Sequence, residues 1–145
     1  MPTTIAIASD HAGYELKEAL KLELAKRGIH ALDFGTSTRE SCDYPDFAHA
    51  VSQAMAKGDV QLAILVCGTG VGMSIAANRH ACVRAVVCSE PLSARMARQH
   101  NDANILCLGA RVVGVGTALD IVEAFLAAQF EGGRHAARVA RINAA

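Results

Sequence analysis

A chain of 145 residues with 52% hydrophobic and only 4% aromatic content predicts one domain spanning 1–145, with a core of Ala, Val, Ile and Leu; a chain of this length buries roughly 68–70% of its unfolded surface. Fourteen basic against fourteen acidic residues give zero formal net charge, which removes the electrostatic case for a nucleic-acid or other polyanionic partner. The basic set is skewed, with ten Arg against four Lys, and the rigid guanidinium fork keeps a local phosphate or carboxylate site open.

Thr4-Ile5-Ala6-Ile7-Ala8-Ser9 reads as a buried strand, with Asp10-His11-Ala12-Gly13 at its end. Asp10 interrupts the first apolar run, so neither a signal peptide nor a membrane span is expected, and the expected location is the cytoplasm. Leu16, Leu20 and Leu24 recur at intervals of four and predict a helix over 14–27, stopped by Gly28. A second strand is expected over 29–34, followed by a polar loop over 35–43 of a length that often carries function. Tyr44-Pro45-Asp46 leads into a helix through about Lys57, and Gly58-Asp59 turns into the next strand. Leu62-Ala63-Ile64-Leu65-Val66 is continuously apolar, as suits a strand covered on both faces. Cys67 and the turn Gly68-Thr69-Gly70-Val71-Gly72 come next, then a helix from near Val71 to Asn78. A fourth strand over 83–88 precedes a helix that starts at Ser89-Glu90-Pro91 and runs to about His100. A fifth strand covers 105–108 and a long apolar helix covers 116–129. Gly132-Gly133 breaks that helix, and a short basic helix covers about 134–142.

Strands alternating with helices predict an α/β fold, an open five-stranded parallel sheet with helices on both faces. Such sheets bind ligands at the carboxyl ends of their strands, near a switch in strand order. Asp10 and His11 after the first strand, residues 67–72 after the third and Arg111 after the fifth all fall there.

None of the five cysteines, Cys42, Cys67, Cys82, Cys88 and Cys107, forms a Cys-x-x-Cys pair, so no metal site is expected. Cys82, Cys88 and Cys107 lie in or near apolar segments and read as packed, inert thiols. An odd count suits a reducing compartment. Cys67 differs because alternating glycines follow it. Those glycines allow a sharp turn and close approach to a ligand. The helix behind them offers free N–H groups and partial positive charge, which suit an anion and favour a thiolate.

The loop fits other phosphate motifs poorly. A dinucleotide fingerprint keeps Gly68 and Gly70 but meets Met73 where its third glycine belongs, although Glu90 lies where a ribose-binding acid could be. No Gly-Lys-Ser/Thr of a Walker loop follows, and Met73 stands where a cysteine phosphatase would close its loop with Arg. A small-anion cradle with a thiol at its lip remains. Asp10-His11 reads either as a cap of the first helix or as a ligand contact, and its strand-end position favours the latter. His100 could simply favour a helix dipole, and Tyr44 could be loop packing. His30, His49 and His80 read as surface or loop histidines. Arg134, Arg138 and Arg141 fall on one helix face. There they repel each other unless an anion turns the repulsion into charge-assisted hydrogen bonds.

Taken together, Ser9-Asp10-His11-Ala12-Gly13, Asp43-Tyr44-Pro45, Cys67-Gly68-Thr69-Gly70-Val71-Gly72, Ile75-Ala76-Ala77-Asn78, Gln99-His100-Asn101-Asp102 and Glu131-Gly132-Gly133-Arg134-His135 resemble the family of type B ribose-5-phosphate isomerases. That family also holds galactose- and allose-6-phosphate isomerases. The resemblance runs from Ile5 to about Ile142. It implies a Rossmann-like three-layer α/β/α fold, and a homodimer or paired dimers with active sites shared between subunits. No metal or organic cofactor is implied, and the ligand is a small sugar phosphate. The implied reaction interconverts D-ribose 5-phosphate and D-ribulose 5-phosphate through an enediolate. By resemblance Cys67 is the catalytic base, and His100 the acid–base group that opens the sugar ring. Asp10, Tyr44 and Asn101 contact the sugar in the same reading. The backbone of Gly68, Thr69, Gly70, Val71 and Gly72 cradles the enediolate. His11, Arg111, Arg134 and Arg138 hold the phosphate. Some family members replace the Cys and carry a Glu just after the glycine loop; here that position is Met73, which leaves Cys67 as the base. The alternatives are a hexose 6-phosphate isomerase, a non-catalytic sugar-phosphate or nucleotide-binding module, and a structural oligomer.

Overall fold

The computed structural model describes residues 1–144. The strands are β1 (Thr4–Ser9), β2 (His30–Asp33), β3 (Ala63–Cys67), β4 (Ala85–Val87) and β5 (Ile105–Gly109). The helices are α1 (Tyr14–Lys26), α2 (Tyr44–Ala56), α3 (Val71–Ala77), α4 (Pro91–Asn101), α5 (Val115–Ala127) and α6 (Arg134–Asn143). All strand pairs are parallel, in the order β2-β1-β3-β5-β4. Among the described residues no helix is long and apolar enough to cross a membrane.

The alternating side chains of each strand feed two separate core layers. Ile5 and Ile7 of β1 pack with Leu16, Leu20 and Leu24 of α1 and with Ile121 and Phe125 of α5. Ala6 and Ala8 pack with Val51 of α2 and with Met73 and Ala77 of α3. The central strands β3 and β5 are buried along their whole length, as their unbroken apolar runs require. The chain leaves β1 toward β2 on one side, and β3 then forms on the other. The crevice between the carboxyl ends of β1 and β3 is therefore the switch point where parallel sheets take ligands.

A buried lysine fixes the loop that enters this crevice. Lys17 Nζ, with a side chain that is 0% exposed, donates to both carboxylate oxygens of Asp33, at 2.8 and 2.7 Å, and to the Thr36 carbonyl at 2.7 Å. Burial pushes the Asp33 carboxyl up, but hydrogen bonds from Lys17, Lys21 and the Gly35 N–H outweigh it and hold it below the usual range. Removing one partner of such a pair strands a buried charge, which costs about 3–5 kcal/mol. Asp33→Ala is therefore expected to lower the unfolding free energy by about 3 kcal/mol in urea titration; a change within error would mean that water replaces the carboxylate.

Three expectations need correction. β4 is three residues rather than six. It pairs with β5 on one side only, and Arg84 before it is drawn off to Asn104 and Asp102. His49 and His80 are not independent surface groups: His49 Nδ1 and His80 Nε2 lie 2.7 Å apart. One ring must donate and the other accept, and burial together with His49 lowers the pKa of His80. Cys82 is half-buried, with its thiol 3.8 Å from the Ser52 carbonyl. Cys88 and Cys107 are packed as expected. Burial pushes the Cys88 thiol up to about 11, and the Cys107 thiol also rises through burial.

Candidate active site

Cys67 ends β3 and is 4% exposed. The chain must turn at once, and Gly70 makes the turn with a φ of +81°. A side chain there would meet the Leu108 backbone at 3.0 Å and Val87 at 2.8 Å. This conformation aims the Gly70 N–H at Cys67 Sγ, 3.2 Å away. The β5 exit is tied to the same loop, because Ala110 N–H donates to the Cys67 carbonyl at 2.9 Å and Arg111 N–H to the Gly68 carbonyl at 3.0 Å.

Gly72 serves a different end. A Cβ on it would lie 2.5 Å from the Tyr44 ring, so the missing side chain is what lets the tyrosine lie across the loop. α3 spans only seven residues, so its dipole is short; of the loop N–H groups, that of Gly70 faces the Cys67 sulfur and that of Val71 the Thr69 hydroxyl. Asp10 is 6% exposed, and its Oδ1 accepts the Gly13 N–H at 3.0 Å. Asp10 does not cap α1, whose N-cap is Gly13 without a side-chain cap bond; it lines the cleft.

That cleft holds about 400 Å³ and is bounded by Asp10, Tyr44, Cys67, Gly68, Thr69, Val71, Gly72 and Arg111, while Gly70 turns behind it against Val87 and Leu108. Ile75, one turn into α3, adds an apolar wall that sequence reasoning missed; its only signal was helical spacing from Val71. His11 is not part of the wall. It turns to the 35–43 loop, where its Nδ1 accepts the Cys42 N–H at 3.2 Å. Nδ1 is therefore unprotonated, and Nε2 is the donor nitrogen.

The remaining expected residues gather elsewhere. α4 begins at the carboxyl edge of the sheet and returns to its amino edge, where Asn104 enters β5. His100 and Asn101, in its last turn, lie at that opposite edge. The four steps of β3 from Ala63 to Cys67 separate the edges by about 13 Å. Arg134 and Arg138 are exposed on α6, which packs against α4. The His100 and His135 rings stack with centroids 4.2 Å apart. The chain thus carries two separate sets, a thiol cleft at one edge and a His–Arg face at the other. Periodicity places each residue on its element but says nothing about which edge a helix end reaches.

A family model described as Ribose/Galactose Isomerase matches residues 5–142. Ribose-5-phosphate isomerase B of Escherichia coli is 54% identical over 140 residues, covering 97% of this chain and 94% of that one. The structure of ribose-5-phosphate isomerase B from Thermotoga maritima superposes with a TM-score of 0.97 at 49% identity, over 100% of both chains. The Clostridium thermocellum enzyme of the same name gives a TM-score of 0.95 at 53% identity, over 97% of this chain and 95% of that one. The chain belongs to the ribose/galactose isomerase family.

Proposed function

We propose that the protein is an aldose–ketose isomerase that interconverts D-ribose 5-phosphate and D-ribulose 5-phosphate. The observation that carries this reading is the Cys67 sulfur, set at the switch point and facing the Gly70 N–H at 3.2 Å, in a cleft walled by Asp10 and Tyr44. His100 assists opening of the sugar ring. The Cys67 thiolate then removes the proton from the carbon next to the carbonyl and returns it to the neighbouring carbon. Negative charge develops on the enediolate oxygens between these steps. Preformed N–H donors of the 68–72 loop stabilise that charge without reorganising. Asp10 and Tyr44 hold the sugar, with Asn101 beside them. Arg111, His11, Arg134 and Arg138 hold the phosphate, whose binding energy positions the reacting carbons.

Because His100, Arg134 and Arg138 lie on the far edge from Cys67 within one chain, a second copy supplies them. The working unit in this reading is a homodimer with shared sites, which can pair into a tetramer. Exposed Val71, Ile75 and Val87 beside the cleft give that copy apolar surface to cover. Free thiols throughout suit a reducing cytoplasm.

The decisive assay follows ketose formation from D-ribose 5-phosphate with EDTA present, before and after thiol alkylation. Turnover that survives EDTA and dies on alkylation, with substrate protecting, is expected. Turnover with allose or galactose 6-phosphate instead would move the substrate to a hexose. Saturable binding without solvent proton exchange into any sugar would leave a binding module. Arg134→Ala is expected to weaken sugar-phosphate binding by about 10–100-fold, the loss of one charge-assisted hydrogen bond, while unphosphorylated ribose is unaffected. Unchanged affinity in calorimetry would make the helix face merely solvated.

A further inference from the structure

His100, Glu131 and His135 bring two imidazoles and a carboxylate together outside the thiol cleft, with their ligand atoms all within 4.8 Å of one another. Glu131 Oε1 stands 3.7 Å from His100 Nε2 and 3.6 Å from His135 Nε2. Both separations are too long for a hydrogen bond. They are close to the ~3.3–3.5 Å between ligands around a tetrahedral zinc with bonds of about 2.0–2.2 Å. We propose that these three side chains form a binding site for a zinc-class divalent cation, with a fourth position open to water or a substrate oxygen.

The supports of the site are built in. Glu131 N–H donates to the Gln99 carbonyl at 3.0 Å, which fixes the loop against the turn that carries His100. Glu131 and His135 are an i,i+4 pair. Gly132 and Gly133, both at positive φ, give the chain the bend between them. His135 is 7% exposed, and burial, His100, Arg134 and Arg138 lower its pKa against the opposing pull of Glu131. The same two arginines oppose any cation, so affinity rests on the donor set. Two imidazoles with one carboxylate select zinc, copper or nickel over magnesium and calcium, which take oxygen ligands. The stacked rings lie 9° from parallel, so their nitrogen lone pairs do not yet converge. His100, 35% exposed at a helix end, must turn out of the stack to close on the metal.

The consequence for turnover rests on the proposed role of His100. A metal on its Nε2 removes the ring-opening group, so zinc is an inhibitor reversed by EDTA. The test uses full-length protein, wild type and Cys67→Ser, with Glu131→Gln and His135→Gln variants of each. Zn²⁺ binding is read by calorimetry and Co²⁺ binding by absorption. One ion per chain is expected in both wild type and Cys67→Ser, without the sulfur-to-cobalt charge-transfer band that thiol ligation gives. Either ligand variant should weaken binding by more than the roughly 10–100-fold typical of losing an outer-shell partner, and Mg²⁺ should not compete. Saturating zinc should cut wild-type turnover by about 10²–10⁴-fold, and at the same zinc concentration Glu131→Gln should escape. Absence of binding, or equal affinity in wild type and both ligand variants, overturns the site. Zinc that binds here and leaves turnover intact keeps the site and removes His100 from the reaction.

Discussion

Cys67→Ser is expected to cut turnover by about 10²–10⁴-fold, the usual contribution of a general base, and to leave sugar-phosphate affinity nearly unchanged. An alcohol occupies almost the same volume but ionises far less readily than a thiol. Even an ordinary cysteine is a few per cent thiolate at pH 7, whereas a serine hydroxyl is essentially never ionised there. The residues proposed to hold the phosphate lie on other elements, so the variant should still bind and position the ligand. Cys88→Ser is the control. Its thiol is pushed up to about 11 by burial and then by Glu90, it does not line the cleft, and its replacement should leave the rate intact. Measuring kcat alongside calorimetric affinity separates the two effects. Near-normal turnover in Cys67→Ser would remove the thiol from the proton transfer.

Much of this site was legible because its signals are local. A continuous apolar run ending in Cys67 and alternating glycines can hardly be other than a central strand and a tight loop. The rule for parallel sheets then brings Asp10, Cys67 and Arg111 to one edge. The individual glycines were less legible. All three look alike in the sequence, yet only Gly70 has positive φ, while Gly72 exists for the Tyr44 ring. That contact joins α2 to the loop across many intervening residues, and no periodicity reports it. The His49–His80 pair and the Lys17–Asp33–Thr36 clamp were hidden for the same reason: each is a long-range polar contact between residues whose local sequence is ordinary. The short β4 reflects its edge position, which propensity does not sense. The separation of His100 from Cys67 follows from topology. A helix of eleven residues that leaves the carboxyl edge must end at the amino edge, so the two groups cannot meet within one chain.

That separation makes a sharp prediction. Cys67→Ser and His100→Asn subunits, each nearly inactive alone, are expected to regain activity when mixed by joint unfolding and refolding. In a mixed dimer one site takes Cys67 from the His100→Asn chain and His100 from the Cys67→Ser chain, and is intact. The other site carries both lesions. Random pairing makes half of the dimers mixed, so recovery should approach about a quarter of the wild-type rate. Against residual rates lower by about 10²–10⁴-fold, this gain is large and needs no new contact, only the exchange of subunits. Sites built within single chains would give no recovery, because every chain in the mixture lacks one group. Sedimentation of the unmixed wild type supplies the second reading: a monomer that turns over substrate would end the shared-site account. A dimer whose mixed form stays inactive would leave the assembly standing but remove His100 from its partner's cleft.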